Sequence, residues 1–217
     1  MKKLATFLLV LAVCLSAADP WQSTPFAQWT DQDVQQVMSN SAWAHAVTIT
    51  SGSGGETTIV GGGGGRRGGG IPGGTFGSPA VTTRVVVIWE SGLPERQAVL
   101  RLKYGSAVAS MNTTPYLAAD DPSYVIIVNN IPMSAVKGDA AKVKEAIRKR
   151  TTLNTVQPTE VDVAENGKVA GLYLSFPRTT PFTLDDSDVE FTTRVGELTV
   201  KTKFHLADMV LNGKLEL

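Results

Sequence analysis

Only two histidines occur in the chain, His45 and His205. An imidazole titrates near neutrality and is the commonest metal ligand, so these two residues are the natural start for any acid–base or zinc chemistry. His45 follows the segment around Trp43, and His205 alternates with Lys203 on the polar side of a strand pattern. A cation beside His205 opposes a metal ion, and neither histidine has a second ligand at metal-binding spacing. Both read as surface or partly packed side chains. The densest acidic cluster is "LDDSD", where Asp185, Asp186 and Asp188 could offer oxygens to a calcium ion. The D-x-D-x-D-G pattern and distal glutamate of a calcium loop are missing, so the plainer reading is a solvated turn leading into a strand. These three aspartates are the metal candidates.

Other chemistry needs more than the sequence supplies. A hydrolase built on carboxylates could pair Glu90 with Glu95, or use the aspartates at 185–188, only if folding brings them together. Gly52-Ser53-Gly54 resembles part of a nucleophile elbow, but it borders polyglycine, which cannot hold a nucleophile in place. No glycine is followed by Lys and then Ser or Thr, so no phosphate loop of that type is present. Arg66 and Arg67 alone are thin support for RNA binding. Lys142, Lys144, Arg148, Lys149 and Arg150 form the strongest basic run, which reads as the solvated side of a helix. Trp29, Trp43 and Trp89 fit a core better than a sugar platform. No catalytic residue and no cofactor site is assigned on these grounds.

The elements that would position these residues are legible from periodicity. "WTDQDVQQVM" begins a helix with Thr30 as N-cap, Asp31 and Asp33 in its first turn, and a Trp29–Val34 staple. "DPWQSTPFAQW" before it reads as extended. "LPERQAVLRLKYG" and "KGDAAKVKEAIRKR" read as two longer helices, the second with Ala140, Val143 and Ile147 on one face. "RVVVIWE" and "SYVIIVNNI" are continuously apolar, as buried strands are. From about Leu153 the period becomes two. Asn166-Gly167 turns one strand pair, and Val189, Phe191, Thr193 and Val195 alternate inward, as do Leu198, Val200, Thr202, Phe204 and Leu206.

Fourteen of the 21 glycines fall between Gly52 and Gly77. Val-, Thr- and Ile-rich segments flank this tract, so it reads as a flexible insertion at about 51–79 between two strands of one sheet. Polyglycine buries almost nothing to offset its backbone entropy, and loop closure grows only logarithmically with length. The expected architecture is a single α+β domain over 19–217. It has a mixed, mostly antiparallel sheet, the two longer helices on one face and a short N-terminal helix.

Residues 1–18 read as a secretory signal peptide. Lys2 and Lys3 precede an apolar run of roughly 14 residues, short of the ~20 that span a bilayer, and Ser16-Ala17-Ala18 supplies small residues for cleavage. The lone cysteine, Cys14, lies within that segment, so the mature chain would be disulfide-free. Twenty basic and twenty acidic residues balance, and losing Lys2 and Lys3 leaves −2. Such a chain has no global field to draw it to nucleic acid.

"WTDQDVQQVMSNSAWA", the polyglycine insertion, "VVVIWESGLP", "LYLSFPR" and the ending "FHLADMVLNGKLEL" resemble a group of uncharacterised exported acidobacterial proteins, some labelled GWxTD-domain proteins. The likeness runs over roughly 24–217, with "QWTD" in place of the full G-W-x-T-D signature. It implies an exported single domain and carries no activity, cofactor or site residue. The functional expectation is therefore an exported, periplasmic or extracellular module that binds a protein or envelope-surface partner without catalysis. It has no nucleic-acid partner and no transmembrane helix in the mature chain. An exported hydrolase using Asp and Glu is the alternative.

Overall fold

Thr30 opens the first substantial helix as the sequence anticipates. Its hydroxyl accepts the Asp33 backbone N–H at 3.2 Å, and the Asp33 carboxylate accepts the Thr30 N–H at 2.8 Å. Two of the helix's free donors are thereby satisfied. Trp29 and Val34 on either side of this cap are buried, closing the hydrophobic staple. The computed structural model describes residues 19–51, 57–58, 81–118 and 122–217. Its helices are α1 (Pro20–Ser23), α2 (Asp31–Ser39), α3 (Leu93–Tyr104), α4 (Thr114–Leu117) and α5 (Ala140–Lys149). Its strands are β1 (Ala44–Ser51), β2 (Thr57–Thr58), β3 (Val81–Trp89), β4 (Ser123–Pro132), β5 (Thr152–Leu153), β6 (Glu160–Asn166), β7 (Val169–Pro177), β8 (Asp188–Val195), β9 (Leu198–His205), β10 (Val210–Leu211) and β11 (Lys214–Leu215).

The α+β class holds, and the pairings are antiparallel throughout. The strands divide, however, into a six-stranded sheet in the order β2-β1-β3-β4-β7-β6, a three-stranded sheet β5-β8-β9 and the β10-β11 pair. The reason lies in the inward faces of β8 and β9. Val189, Phe191, Val195, Val200 and Phe204 are all buried, and they need an apolar surface to cover them. That surface is one face of the larger sheet. Phe204 meets Trp89 edge to face at 5.2 Å between ring centroids, and Phe191 meets Phe176 at 6.4 Å.

The helices consequently take different stations instead of sharing one face. Met38 of α2 and Leu102 of α3 gather near Val86 and Ile88, on the side of β3 that does not face the smaller sheet. α5 bridges the two sheets, lying along β6 and β8 with Ile147 buried. The N-terminal segment is also not extended. Pro20, pre-set for a first helical position, opens α1, and a 3-10 turn follows at Phe26–Gln28. The buried Trp29 indole N–H fixes this arrangement by donating to the Thr24 carbonyl at 2.9 Å and the Pro20 carbonyl at 3.2 Å.

β1 and β3 pair along their length, with Val47 opposite Val85. The segments that precede and follow the glycine tract are therefore neighbouring strands of one sheet. The tract itself at 59–80, the Gly52-Ser53-Gly54 motif and the proposed signal peptide at 1–18 lie outside the described residues. Among the described residues, no helix is long and apolar enough to cross a membrane.

Candidate functional site

A recess of about 710 Å³ opens where β9 runs beside the start of β1 and the end of α2. β9 is an edge strand, hydrogen-bonded to β8 alone within its sheet. Its alternation sends Thr202 and Phe204 into the core and Lys203 and His205 outward to the rim. Gln36 and Asn40 enter the recess from α2, Trp21 and Gln22 from α1, and Ser41 from the turn before β1. Asp208, in the 3-10 turn that ends β9, completes the rim.

Both histidines line this recess. The sequence separates them widely, and the packing of β1 against β9 unites them. His45 projects from β1 and stacks on Phe204, with ring centroids 4.7 Å apart and planes 20° from parallel. Its Nδ1 shares a hydrogen bond with the Thr202 hydroxyl at 3.0 Å. Burial pulls the His45 pKa down from 6.5 to about 4; nearby His205 adds to the depression and Asp208 partly opposes it. His45 is thus a neutral imidazole at physiological pH. His205 is more exposed, and its Nδ1 lies 2.5 Å from the Asp188 carboxylate, directly opposite in the β8–β9 ladder. An imidazole oriented by a carboxylate is one component of a general base, but a base needs a nucleophile or substrate proton to act on.

The hydroxyls of the recess are committed elsewhere. Thr202 is 1% exposed and engages His45. The Ser41 hydroxyl accepts the Trp43 backbone N–H at 3.1 Å and points its own proton toward Glu95 at 3.5 Å. Glu95, just behind that wall, is 1% exposed. Burial pushes its carboxyl well above the usual range; the Ser41 contact works against this and Glu90 adds to it. Its second carboxyl oxygen has no hydrogen-bond partner. Glu90 and Glu95 therefore do interact, but Glu95 is sealed from any substrate.

The other candidates disperse. Asp186 accepts the Thr183 backbone N–H at 2.7 Å and caps its own turn, while Asp188 is turned to His205. Asp185 sits in the same short turn. Among the described residues, no group of three or more His, Cys, Asp or Glu is placed to hold a metal ion. Trp29, Trp43 and Trp89 are buried in the core as expected, and the Trp43 indole N–H donates to the Glu216 carbonyl at 2.7 Å.

The chain matches no family model, no curated protein and no solved structure. The chemistry of the recess thus rests on its own residues. Those residues supply side-chain amides (Gln22, Gln36, Asn40), a neutral imidazole, and two formal negative charges, Asp19 and Asp208, against one positive, Lys203.

The residues that sequence reading set aside are the histidines, and one signal could have found half of the arrangement. β8 and β9 are joined by the two residues Gly196 and Glu197, with Val195 opposite Leu198. Counting outward from so short a turn places Asp188 opposite His205. His45 gave no such signal, because its partners come from a different sheet.

Proposed function

We propose that the chain is an exported, non-catalytic binding module and that the recess between β9, β1 and α2 is its ligand site. The export half rests on the basic, apolar and small-residue pattern of residues 1–18. The binding half rests on one observation: two hydroxyls that could act as nucleophiles are already hydrogen-bonded, Thr202 to His45 and Ser41 to the buried Glu95, inside a polar recess of about 710 Å³. That volume lies within the usual range for small-ligand sites. Amide donors and acceptors with a net formal charge of only one suit a neutral, hydroxyl-rich ligand such as an oligosaccharide.

The test is calorimetric titration of the 19–217 chain with a panel of neutral oligosaccharides, beside a Gln36→Ala/Asn40→Ala variant. Saturable heat that the variant loses supports the reading; no heat across the panel removes it. The alternative, an exported hydrolase using Asp and Glu, would give the acid–base role to Asp188, which His205 contacts at the rim. Its signature in the same samples would be product formation that His205→Gln abolishes.

A further inference from the structure

A second recess, of about 300 Å³, lies between the flank of α5 and the β8–β9 turn. Four cationic side chains from three separate places line it. Lys137 comes from the residues before α5, Lys142 from α5 itself, Arg150 from its C-cap, and Arg194 from the end of β8. Its apolar lining includes Val143 and the buried Ile147.

The basic run on α5 divides into two sets. Lys144 is bound to Asp162 at 2.6 Å, and Arg148 and Lys149 both hold Glu145, at 2.9 and 3.3 Å. Two carboxylates thus pair with three of the run's cations. Among the described residues, Lys137, Lys142 and Arg150 form no ion pair, and they are the ones that turn toward the recess. The acids at hand are few. Asp139 lines the recess, but one of its oxygens accepts the Lys142 backbone N–H at 3.0 Å. Glu197 holds Arg194 at 3.0 Å from the outer side of the turn. Four positive charges against two negative leave a local excess in a chain whose formal charge is zero. The four side chains are exposed, so water and salt screen part of this excess, and a bound oxyanion would relieve the rest.

The far wall is held in place. Gly196 has φ +58°, and a Cβ there would sit 3.1 Å from the Ala135 carbonyl oxygen. The hairpin turn is therefore pressed against the 3-10 turn at Met133–Val136, which fixes the base of Arg194 opposite α5. The Arg150 guanidinium can present a planar fork to a tetrahedral oxyanion, Arg194 adds the N–H groups that its bonds to the Gly196 carbonyl and Glu197 leave over, and two ammonium groups add charge without demanding geometry. More than one negative charge on the ligand is needed to match the excess.

We propose that this recess binds a phosphate monoester group. The volume admits the phosphate together with a sugar-sized attachment. A soluble sugar phosphate or a lipid headgroup bearing a terminal phosphate would present the same chemistry. The site is independent of the oligosaccharide recess at β9.

The experiment is an NMR titration of Arg side-chain Nε–H signals in the 19–217 chain with glucose 6-phosphate, using glucose as control. Sedimentation with phosphatidylcholine vesicles, with and without phosphatidic acid, runs beside it. The Arg150 and Arg194 signals should shift saturably with the sugar phosphate and not with glucose. Arg150→Gln/Arg194→Gln should weaken binding at least about tenfold, and Lys142→Gln should weaken it without touching the hairpin. Lys149→Gln, which removes a cation already held by Glu145, should leave binding unchanged. Vesicle binding that depends on phosphatidic acid and on the same arginines assigns a lipid source, and its absence beside saturable soluble binding assigns a soluble one. No saturable shift and no vesicle binding overturns the site. So does equal weakening by Lys149→Gln, since that would reveal only diffuse positive charge.

Discussion

Acid should destabilise this protein through His45 in a defined window. The unfolded chain takes up a proton on this imidazole near its ordinary value of 6.5, whereas the folded chain resists until about pH 4. Between those values the unfolded state holds more protons, so lowering the pH favours unfolding. Above 6.5 and below about 4 the two states hold the same number, and this contribution is flat. The slope of about 1.4 kcal/mol per pH unit, taken over the interval from 6.5 to about 4, integrates to about 3 kcal/mol. That is a large part of the 5–15 kcal/mol typical of a domain. The assay is urea unfolding at closely spaced pH values across the window, on the wild type and on His45→Asn. Asparagine cannot titrate there but can still reach Thr202. It loses the stack on Phe204, worth about 0.5–1.5 kcal/mol, at every pH. The variant should thus start lower near neutrality and converge on or overtake the wild type as the pH falls. The other titratable groups are common to both proteins, so the difference between the two isolates position 45. Parallel stability curves, or a His45 ring resonance titrating near 6.5 in the folded protein, would refute the reasoning.

Glu95 should act in the opposite direction. Its folded pKa is raised by burial, so the folded state keeps a proton that the unfolded state has lost, and stability falls as pH rises above the ordinary carboxylate value of 4.5. Glu95→Gln should remove a descent of up to about 1.4 kcal/mol per pH unit, read from urea midpoints through neutrality; an unchanged pH slope would count against a protonated Glu95. Gly92→Ala should lower thermal stability by about 1–3 kcal/mol, because a Cβ at Gly92 would lie 2.5 Å from Trp43 Cδ1 and that indole is anchored to Glu216. Calorimetric melting checks it, and an unshifted melt would mean that Trp43 moves freely. Thr151 donates to the Ile147 carbonyl at 2.7 Å and shares a 2.6 Å hydrogen bond with the buried Thr193. Thr151→Val should therefore cost about 1–3 kcal/mol by orphaning the Thr193 hydroxyl, and Thr151→Val/Thr193→Val should recover most of it in chemical denaturation.

Local physics made the elements readable and left their assembly open. The cap at Thr30, the Trp29–Val34 staple, the inward alternation of β8 and β9 and the turn at Asn166-Gly167 are each decided within a few residues. The extended reading of residues 19–29 failed because α1 is held by a distant requirement. Trp21 is buried against Trp43, meeting it edge to face at 6.0 Å, and helical turns bring the two together. The division into two sheets was hidden for a related reason. Alternation shows that one face of a strand is covered, but a helix and a second sheet cover it equally well. The deciding contacts, Trp89 with Phe204 and Phe176 with Phe191, join residues remote in sequence.

The same distinction governs the two recesses. Asp188 and His205 are equidistant from a two-residue turn, so their pairing follows from strand register, and a reader who trusts the hairpin can derive it. His45 meets Phe204 and Thr202 only because β1 lies against β9, and nothing near position 45 encodes that contact. On α5 the sequence shows a run of cations and suggests a uniform solvated face. Folding sorts them: Glu145 and Asp162 pair with three, while Arg194 arrives from another strand to face those left over. Composition counted these charges as balanced across the chain. Function depends instead on where the balance fails, and that is set by which side chains the tertiary fold leaves facing one another.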